Sequence, residues 1–198
     1  MLGEKINIGN NVFVYTMPVT LVGTQVEGRV NFMTVGWISR VNANPPYIGV
    51  SINKNHYTAK GILENGSFSV NFPSSDMVKK TDYCGIVSGR KEDKSKLFDV
   101  FYGKIETAPM IKECPLNLEC RLVDTIEFPT NYFFVGEILA AYSEEQYLTL
   151  GKPDIEKMEL LLLTMPDNCY WTIGDYKGEA WKTGLSLMDK KGAEEDKA

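Results

Sequence analysis

Apolar and polar positions alternate along the first quarter of the chain in short runs: Asn11–Thr16, Val19–Thr24, Val30–Ser39 and Tyr47–Asn53. Each run is rich in β-branched and aromatic residues and has the two-residue period of a strand. Gly9, Asn10 and Asn11, then Pro18, then Asn44, Pro45 and Pro46 punctuate them, because proline lacks an amide hydrogen and restricts the residue before it. The pattern predicts an antiparallel meander rather than βαβ units. At Thr58 the period changes. Ala59, Ile62 and Leu63 recur at helical intervals up to Glu64, and Asn65 with Gly66 supplies a C-terminal stop.

Ser67–Phe72 returns to alternation, with Phe68, Val70 and Phe72 on one face, and predicts a half-buried strand. A short helix is predicted over Ser75–Tyr83, capped by Ser74 or Ser75, then a glycine-bounded loop over Cys84–Gly89. Lys94–Tyr102 has room for a further helical turn or two. Leu116–Ile126 and Tyr132–Tyr142 are long strand candidates of the kind a curled barrel uses, joined through Glu127–Asn131. Asp154–Thr164 is ambiguous, and a short strand is expected over Tyr170–Tyr176. The tail after Leu187 is poor in apolar residues and is expected to fray, which leaves one domain over 1–187 and a tail over 188–198.

Composition narrows the function. A chain of 198 residues with 43% hydrophobic and 24% charged side chains can build one sizeable core. Its net charge of −5 argues against a phosphate-backbone footprint, so no nucleic acid is expected. The N-terminus lacks a basic stretch followed by an apolar run, and no apolar run is long enough to span a bilayer; a cytoplasmic protein with no membrane partner is expected. Cys84, Cys114, Cys120 and Cys169 lack paired CxxC spacing and are read as reduced thiols, with no metal site expected. His56 is the only histidine, which weighs against a hydrolytic triad or a multi-histidine metal centre. Neither GxGxxG after a strand nor GxxxxGK[ST] is present, so a nucleotide would have to bind by another route.

The densest candidate chemistry lies between Asn31 and Asn71, where Asn31, Thr34, Ser51, Asn53, His56 and Thr58 crowd two strands and a helix start. Buried polar groups need partners, so such a wall suits solvent or a polar ligand. The turn before the short helix could seat a phosphate: Thr58, Ser51 and Asn53 offer hydrogen bonds, and Lys54 and His56 offer positive charge. The alternative is that Thr58 only caps the helix and His56 is solvated. Met33 and Trp37 fall on one strand face and Thr34 and Gly36 on the other, so Trp37 is either core or a wall for an aromatic ring system. Asp82–Phe98, with Ser88, Gly89 and Lys94, reads as a solvated loop or as a clasp for phosphate or a polyol. Cys84 is more often a small buried hydrophobe than a redox thiol.

Taken together, N-x-M-T-x-x-W-I-S from Asn31, PP-x-I-x-V-S-I from Pro45 with H-Y-T after it, F-S-V-N from Phe68, and D-Y-C-G-x-x-S-G from Asp82 with D-K-S-x-x-F form an ordered set. With F-V-G-E at Phe134 and Y-W-x-x-G at Tyr170, the set resembles the flavoredoxin branch of the flavin reductase-like proteins across nearly the whole chain. The resemblance implies a mostly β, α+β fold: an antiparallel, FMN-binding split β-barrel with a few short helices, usually a homodimer. It further implies an FMN-dependent oxidoreductase or electron-transfer protein, in which Asn31, Met33, Thr34 and Trp37 line the isoalloxazine. Ser51, Asn53, His56 and Thr58 would hold ribityl and phosphate, and Asn71, Cys84, Ser88, Gly89 and Lys94 would close the site. Thr34, Asn31 and a loop amide are the expected donors to the ring. Two alternatives are a reductase that takes NAD(P)H and releases reduced flavin, and a non-enzymatic, flavin-binding dimeric module. Asn131 stands where many relatives carry histidine, and it cannot carry a proton near neutral pH. The resemblance therefore implies FMN binding more firmly than direct reduction by NAD(P)H, and leaves a protein electron donor open.

Overall fold

Thr20–Val26 (β1) and Arg29–Val35 (β2) form an antiparallel hairpin through Glu27 and Gly28, both at positive φ, 53° and 74°. A two-residue turn of that kind matches the twist of the strands it joins. The structure, a computed structural model, describes residues 3–187; the tail predicted to fray lies outside them. Ile38–Asn42 (β3), Tyr47–Asn53 (β4), Ser67–Phe72 (β5), Leu116–Glu127 (β6) and Asn131–Ser143 (β7) complete a seven-stranded antiparallel sheet in the order β2-β1-β5-β6-β7-β4-β3. Its two edge strands, β2 and β3, are consecutive in the chain.

That order explains why the predicted single strand Val30–Ser39 is two. At Gly36 and Trp37 the chain leaves one edge of the curled sheet and joins the other, and the Ser51 amide donates to the Trp37 carbonyl at 2.9 Å. Alternation cannot reveal the switch, since the period continues through it. Register shifts between β6 and β7 at Val135/Gly136 and Ile138/Ala140 add the local bend that curling needs. The result is a split barrel.

Val22, Val50, Ile52, Phe68, Val70 and Phe134 fill its interior together with Ala59 and Ile62 from the helix Tyr57–Asn65 (α1). That helix ends as predicted, with Gly66 left-handed at φ 61° and its amide donating to the Ile62 carbonyl at 2.9 Å. Leu21, Phe32, Met77, Cys84, Phe98, Ile111 and Cys114 form a second cluster. It covers the outer face of β1 and β2 with a helix and the segment after it.

Several expectations are corrected. β5 is buried on both faces, because Ser67, Ser69 and Asn71 meet the 105–111 loop: Ser67 bonds Thr107 at 2.6 Å, and Ser69 donates to the Pro109 carbonyl. The helix predicted to end at Tyr83 starts as a single tight turn at Ser75–Met77 and runs through Val78–Ile86 (α2), so Cys84–Ile86 are helical. Within Lys94–Tyr102 only Lys94–Leu97 is a helical turn, and Val100–Phe101 is a short strand. Asn11–Thr16 forms no strand; it runs along the surface, and Val12, Val14 and Tyr15 are exposed. Asp154–Thr164 resolves into Ile155–Met158 (α3), capped by Asp154, and a strand Leu162–Thr164, which pairs with Met17–Pro18 and with Cys169–Trp171. The strand predicted over Tyr170–Tyr176 is thus only Cys169–Trp171. Among the described residues no helix is long and apolar enough to cross a membrane, and no three His, Cys, Asp or Glu side chains cluster as metal ligands would.

Candidate functional site

Where β2 runs out beside the start of α1 and the end of α2, two cavities meet at Met33. The first, about 250 Å³, is lined by Asn55, His56, Tyr57 and Thr58, by Cys84 through Gly89, and by Lys94. The second, about 260 Å³, is lined by Met33 through Trp37 with Ser51, Asn53 and Asn131. The antiparallel register sets these last groups side by side, pairing Asn131 with Asn53 and Phe133 with Ser51.

Lys94 dominates the first cavity. It is buried, and its ammonium donates to the carbonyls of Cys84 at 3.2 Å and Val87 at 3.0 Å, where α2 ends. Among the described residues no carboxylate lies within ion-pair distance of it. Burial lowers its pKa, as expected for a desolvated cation. His56 stands at the α1 N-terminus without a side-chain cap bond. Desolvation, and then the Lys94 charge, pull its pKa below the ordinary 6.5, so the imidazole is neutral at pH 7 and is not the cation the sequence suggested. Thr58 is no cap either. It lies within the first turn of α1, and its hydroxyl accepts from Asn31 Nδ2 at 2.8 Å.

Asn31 lies directly beneath Gly89. Its Oδ1 is buried with no hydrogen-bond partner among the described residues, and a Cβ added at Gly89 would stand 1.9 Å from it. Only glycine lets the loop close so tightly over Asn31. The Ser88 hydroxyl accepts the Arg90 amide at 3.3 Å. Cys84 is buried and its thiol is pushed up to about 11, mainly by desolvation, which makes it packing rather than a nucleophile.

In the second cavity the Thr34 hydroxyl donates to the Thr81 carbonyl of α2, so it is not the free donor the resemblance implied. Asn131 donates to the Ser51 hydroxyl at 3.1 Å. Asn53 Oδ1 accepts the Asn55 amide at 3.0 Å, shaping the turn before α1. Trp37 is 45% exposed, and its aromatic neighbour among the described residues is Phe13, with ring centroids 6.4 Å apart. It is therefore a wall and not core. Gly36 has room for a Cβ, with nothing nearer than 3.6 Å, so no protein neighbour explains that glycine.

Two expected residues stand elsewhere. Lys54 pairs with Glu127 at 2.5 Å and lies over the Tyr132 ring. Asn71 is fully buried in the polar layer of β5: it donates to the Leu21 carbonyl and accepts from the Ile111 amide and Asn117. The other thirteen line the cavities or, for Asn31, lie under them. Sequence reading did not single out Arg29 and Arg90, whose guanidinium groups sit 5.9 and 5.7 Å from the ring centroid of Tyr57, a residue that lines the first cavity. No spacing links a strand start to a loop, so the pattern carried no signal for them.

The Flavin reductase like domain matches residues 13–153. The crystal structure of flavoredoxin from Methanosarcina acetivorans is 74% identical, with a TM-score of 0.92 over 94% of this chain and 100% of that one. Flavoredoxin of Desulfovibrio vulgaris (Miyazaki F) is 34% identical, with a TM-score of 0.85 over 91% and 100%. An FMN-binding protein from Thermus thermophilus is 26% identical, with a TM-score of 0.76 over 90% and 98%. With the domain match spanning most of the split barrel and both walls of the paired cavities, the chain belongs to the flavin reductase-like family.

Proposed function

We propose that the chain holds FMN across the paired cavities and works as an oxidoreductase or electron-transfer flavoprotein of its family. The observation that carries this reading is the buried Lys94 ammonium, which has two carbonyl partners and, among the described residues, no counter-charge in a cavity at the N-terminus of α1. A buried cation beside unsatisfied helix amides asks for an anion, and a phosphate answers both. Lys94, Ser88 and the loop at Gly89 would take the phosphate, while Asn31 would support that loop and the start of α1 from below through Thr58. Met33, Thr34, Trp37, Asn53 and Asn131 would flank the ring. Bound FMN supplies the redox chemistry, accepting a hydride or single electrons, and the side chains position it and tune it.

Thr34 can only accept from the ring edge, because its proton is given to Thr81. The donors left on that side are the Ser51 hydroxyl, the Asn53 and Asn131 side-chain amides and the backbone. Burial and the Lys94 charge disfavour the His56 imidazolium and a phosphate beside it would favour it again, so His56 would hydrogen-bond the phosphate end in either form. We propose in addition that the protein is a cytoplasmic homodimer reduced by NAD(P)H or by a protein donor; three buried thiols suit a reducing compartment.

The test is the visible spectrum of the purified protein, followed by FMN titration of the apoprotein. Wild type should show the two visible flavin bands, and Lys94→Met should raise the FMN Kd about ten-fold to a hundred-fold, the range for losing a charge-assisted hydrogen bond of about 1.5–3 kcal/mol. A colourless protein that rejects added FMN would overturn the reading.

A further inference from the structure

The strand β7 brings Asn131 to the second cavity at its start and Tyr142 and Ser143 to a further cavity, of about 570 Å³, at its end. That volume lies within the range of small-molecule sites, and the cavity shares no lining residue with the first two. Asn117, near the start of β6, is only 3% exposed and lines it. Its Nδ2 donates to Asn71 Oδ1 and to the Ile111 carbonyl, both at 2.8 Å, which leaves Oδ1 without a donor among the described residues. The sealed-in, unpartnered side-chain oxygens among those residues are Asn31 Oδ1 and Thr81 Oγ1. Asn117 Oδ1 is therefore not sealed in: it opens onto the cavity.

The other polar groups of the lining are acceptors as well. The Ser143 hydroxyl donates to the Pro115 carbonyl at 2.7 Å and that of Tyr142 to Glu119 at 3.4 Å, so both turn lone pairs to a ligand. Asp99 and Glu144 are exposed carboxylates, and among the described residues no basic group stands within ion-pair distance of either. Lys112 is the only basic residue of the lining and is itself exposed. Phe101 and Tyr142 add aromatic faces, with ring centroids 5.8 Å apart. A buried acceptor, two unpaired carboxylates and aromatic rings select a cation rich in N–H groups. An anion would meet two carboxylates, and a divalent metal asks for more charged oxygens than these.

We propose that this cavity binds a small protonated aliphatic amine, for which diaminobutane is the simplest representative. One ammonium donates to Asn117 Oδ1, and the other meets the carboxylates of Asp99 and Glu144. The proposal stands apart from the FMN reading, because the two sites have no residue in common.

Calorimetric titration of the purified protein with diaminobutane and with butanediol at low ionic strength tests it, together with NMR spectra of the side-chain amides. The diamine should bind saturably, and the diol, of the same length but uncharged, at least about ten-fold more weakly. The Asn117 side-chain amide resonances should move along the same saturation curve. Glu144→Lys changes an exposed side chain that makes no cap bond, so the fold tolerates it, and its ammonium should weaken diamine binding at least about ten-fold. No saturable diamine binding, equal binding of the diol, Asn117 resonances that stay in place at saturation, or indifference to Glu144→Lys would each overturn the proposal. Displacement of the diamine by an equal concentration of magnesium or calcium chloride would overturn it in favour of a metal ion. If the protein takes no FMN, the flavin reading fails, and the same titration still decides this cavity.

Discussion

Lys94 has two jobs that substitution can separate. Two of its three N–H groups satisfy carbonyls where α2 ends, so Lys94→Met should lower apoprotein stability by about 1–3 kcal/mol in urea melts. If stability falls while the FMN Kd is unchanged, the lysine is only a helix cap and the phosphate reading is lost. The thiols differ as sharply. Cys84, Cys114 and Cys120 are buried with raised pKa values, whereas Cys169 is exposed. Iodoacetamide at mildly alkaline pH should therefore label the native chain once, at Cys169, and all four cysteines in denaturant; mass spectrometry reads the difference. His56 sets a pH dependence. Its folded pKa is depressed, so between that value and 6.5 the unfolded chain binds more protons and stability falls as pH falls. Acidification below pH 6.5 should thus destabilise the apoprotein more than a His56→Asn variant, measured by urea midpoints across that window.

Among the elements, β5 shows how far the pattern of the sequence reaches. Its boundaries are those the alternation predicts, as are the positions of Tyr47–Asn53 and the two long strands to within a residue or so. What alternation cannot say is what covers the second face. The 105–111 loop does, so Asn71, which reads as a site residue, instead bonds Leu21, Ser69, Ile111 and Asn117. Replacing it with leucine removes the acceptor of the Ile111 amide and one bond each from Leu21, Ser69 and Asn117, and should cost about 3 kcal/mol, with FMN affinity of the folded fraction unchanged. A loss of FMN affinity without loss of stability would return Asn71 to the site. The same limit explains α2. Gly85 looks like a loop boundary, yet it lies within the helix over Thr34, where an added Cβ would make ordinary contact at 3.4 Å from the Thr34 Cβ; that placement is set by tertiary packing and silent in local spacing. The cluster itself was legible because its members fall in three short motifs, while Arg29 and Arg90 meet only through Tyr57.

For the whole molecule, the telling residues are the apolar ones that one barrel leaves outside. Val41 on β3, Val123 and Ile126 on β6, Phe128 at the β6–β7 turn and Leu139 on β7 are each 40–50% exposed, and Trp181 beyond the barrel is 95% exposed. A contiguous exposed apolar patch marks an interaction surface, and a second copy is the partner that the homodimer reading requires. Light scattering at micromolar concentration should give twice the 22.3 kDa chain mass. Ile126→Lys combined with Phe128→Lys, both at the exposed end of the β6–β7 hairpin, should shift it to the single-chain mass. Because Lys94, Ser88, Gly89 and Asn31 all come from one chain, the separated subunit should still take up FMN. Because Trp37 is half open to solvent, it should hold the ring end more weakly, with a Kd raised about ten-fold or less. A wild-type monomer would remove the dimer from the proposal, and a dimer that survives both lysines would move its interface away from this hairpin.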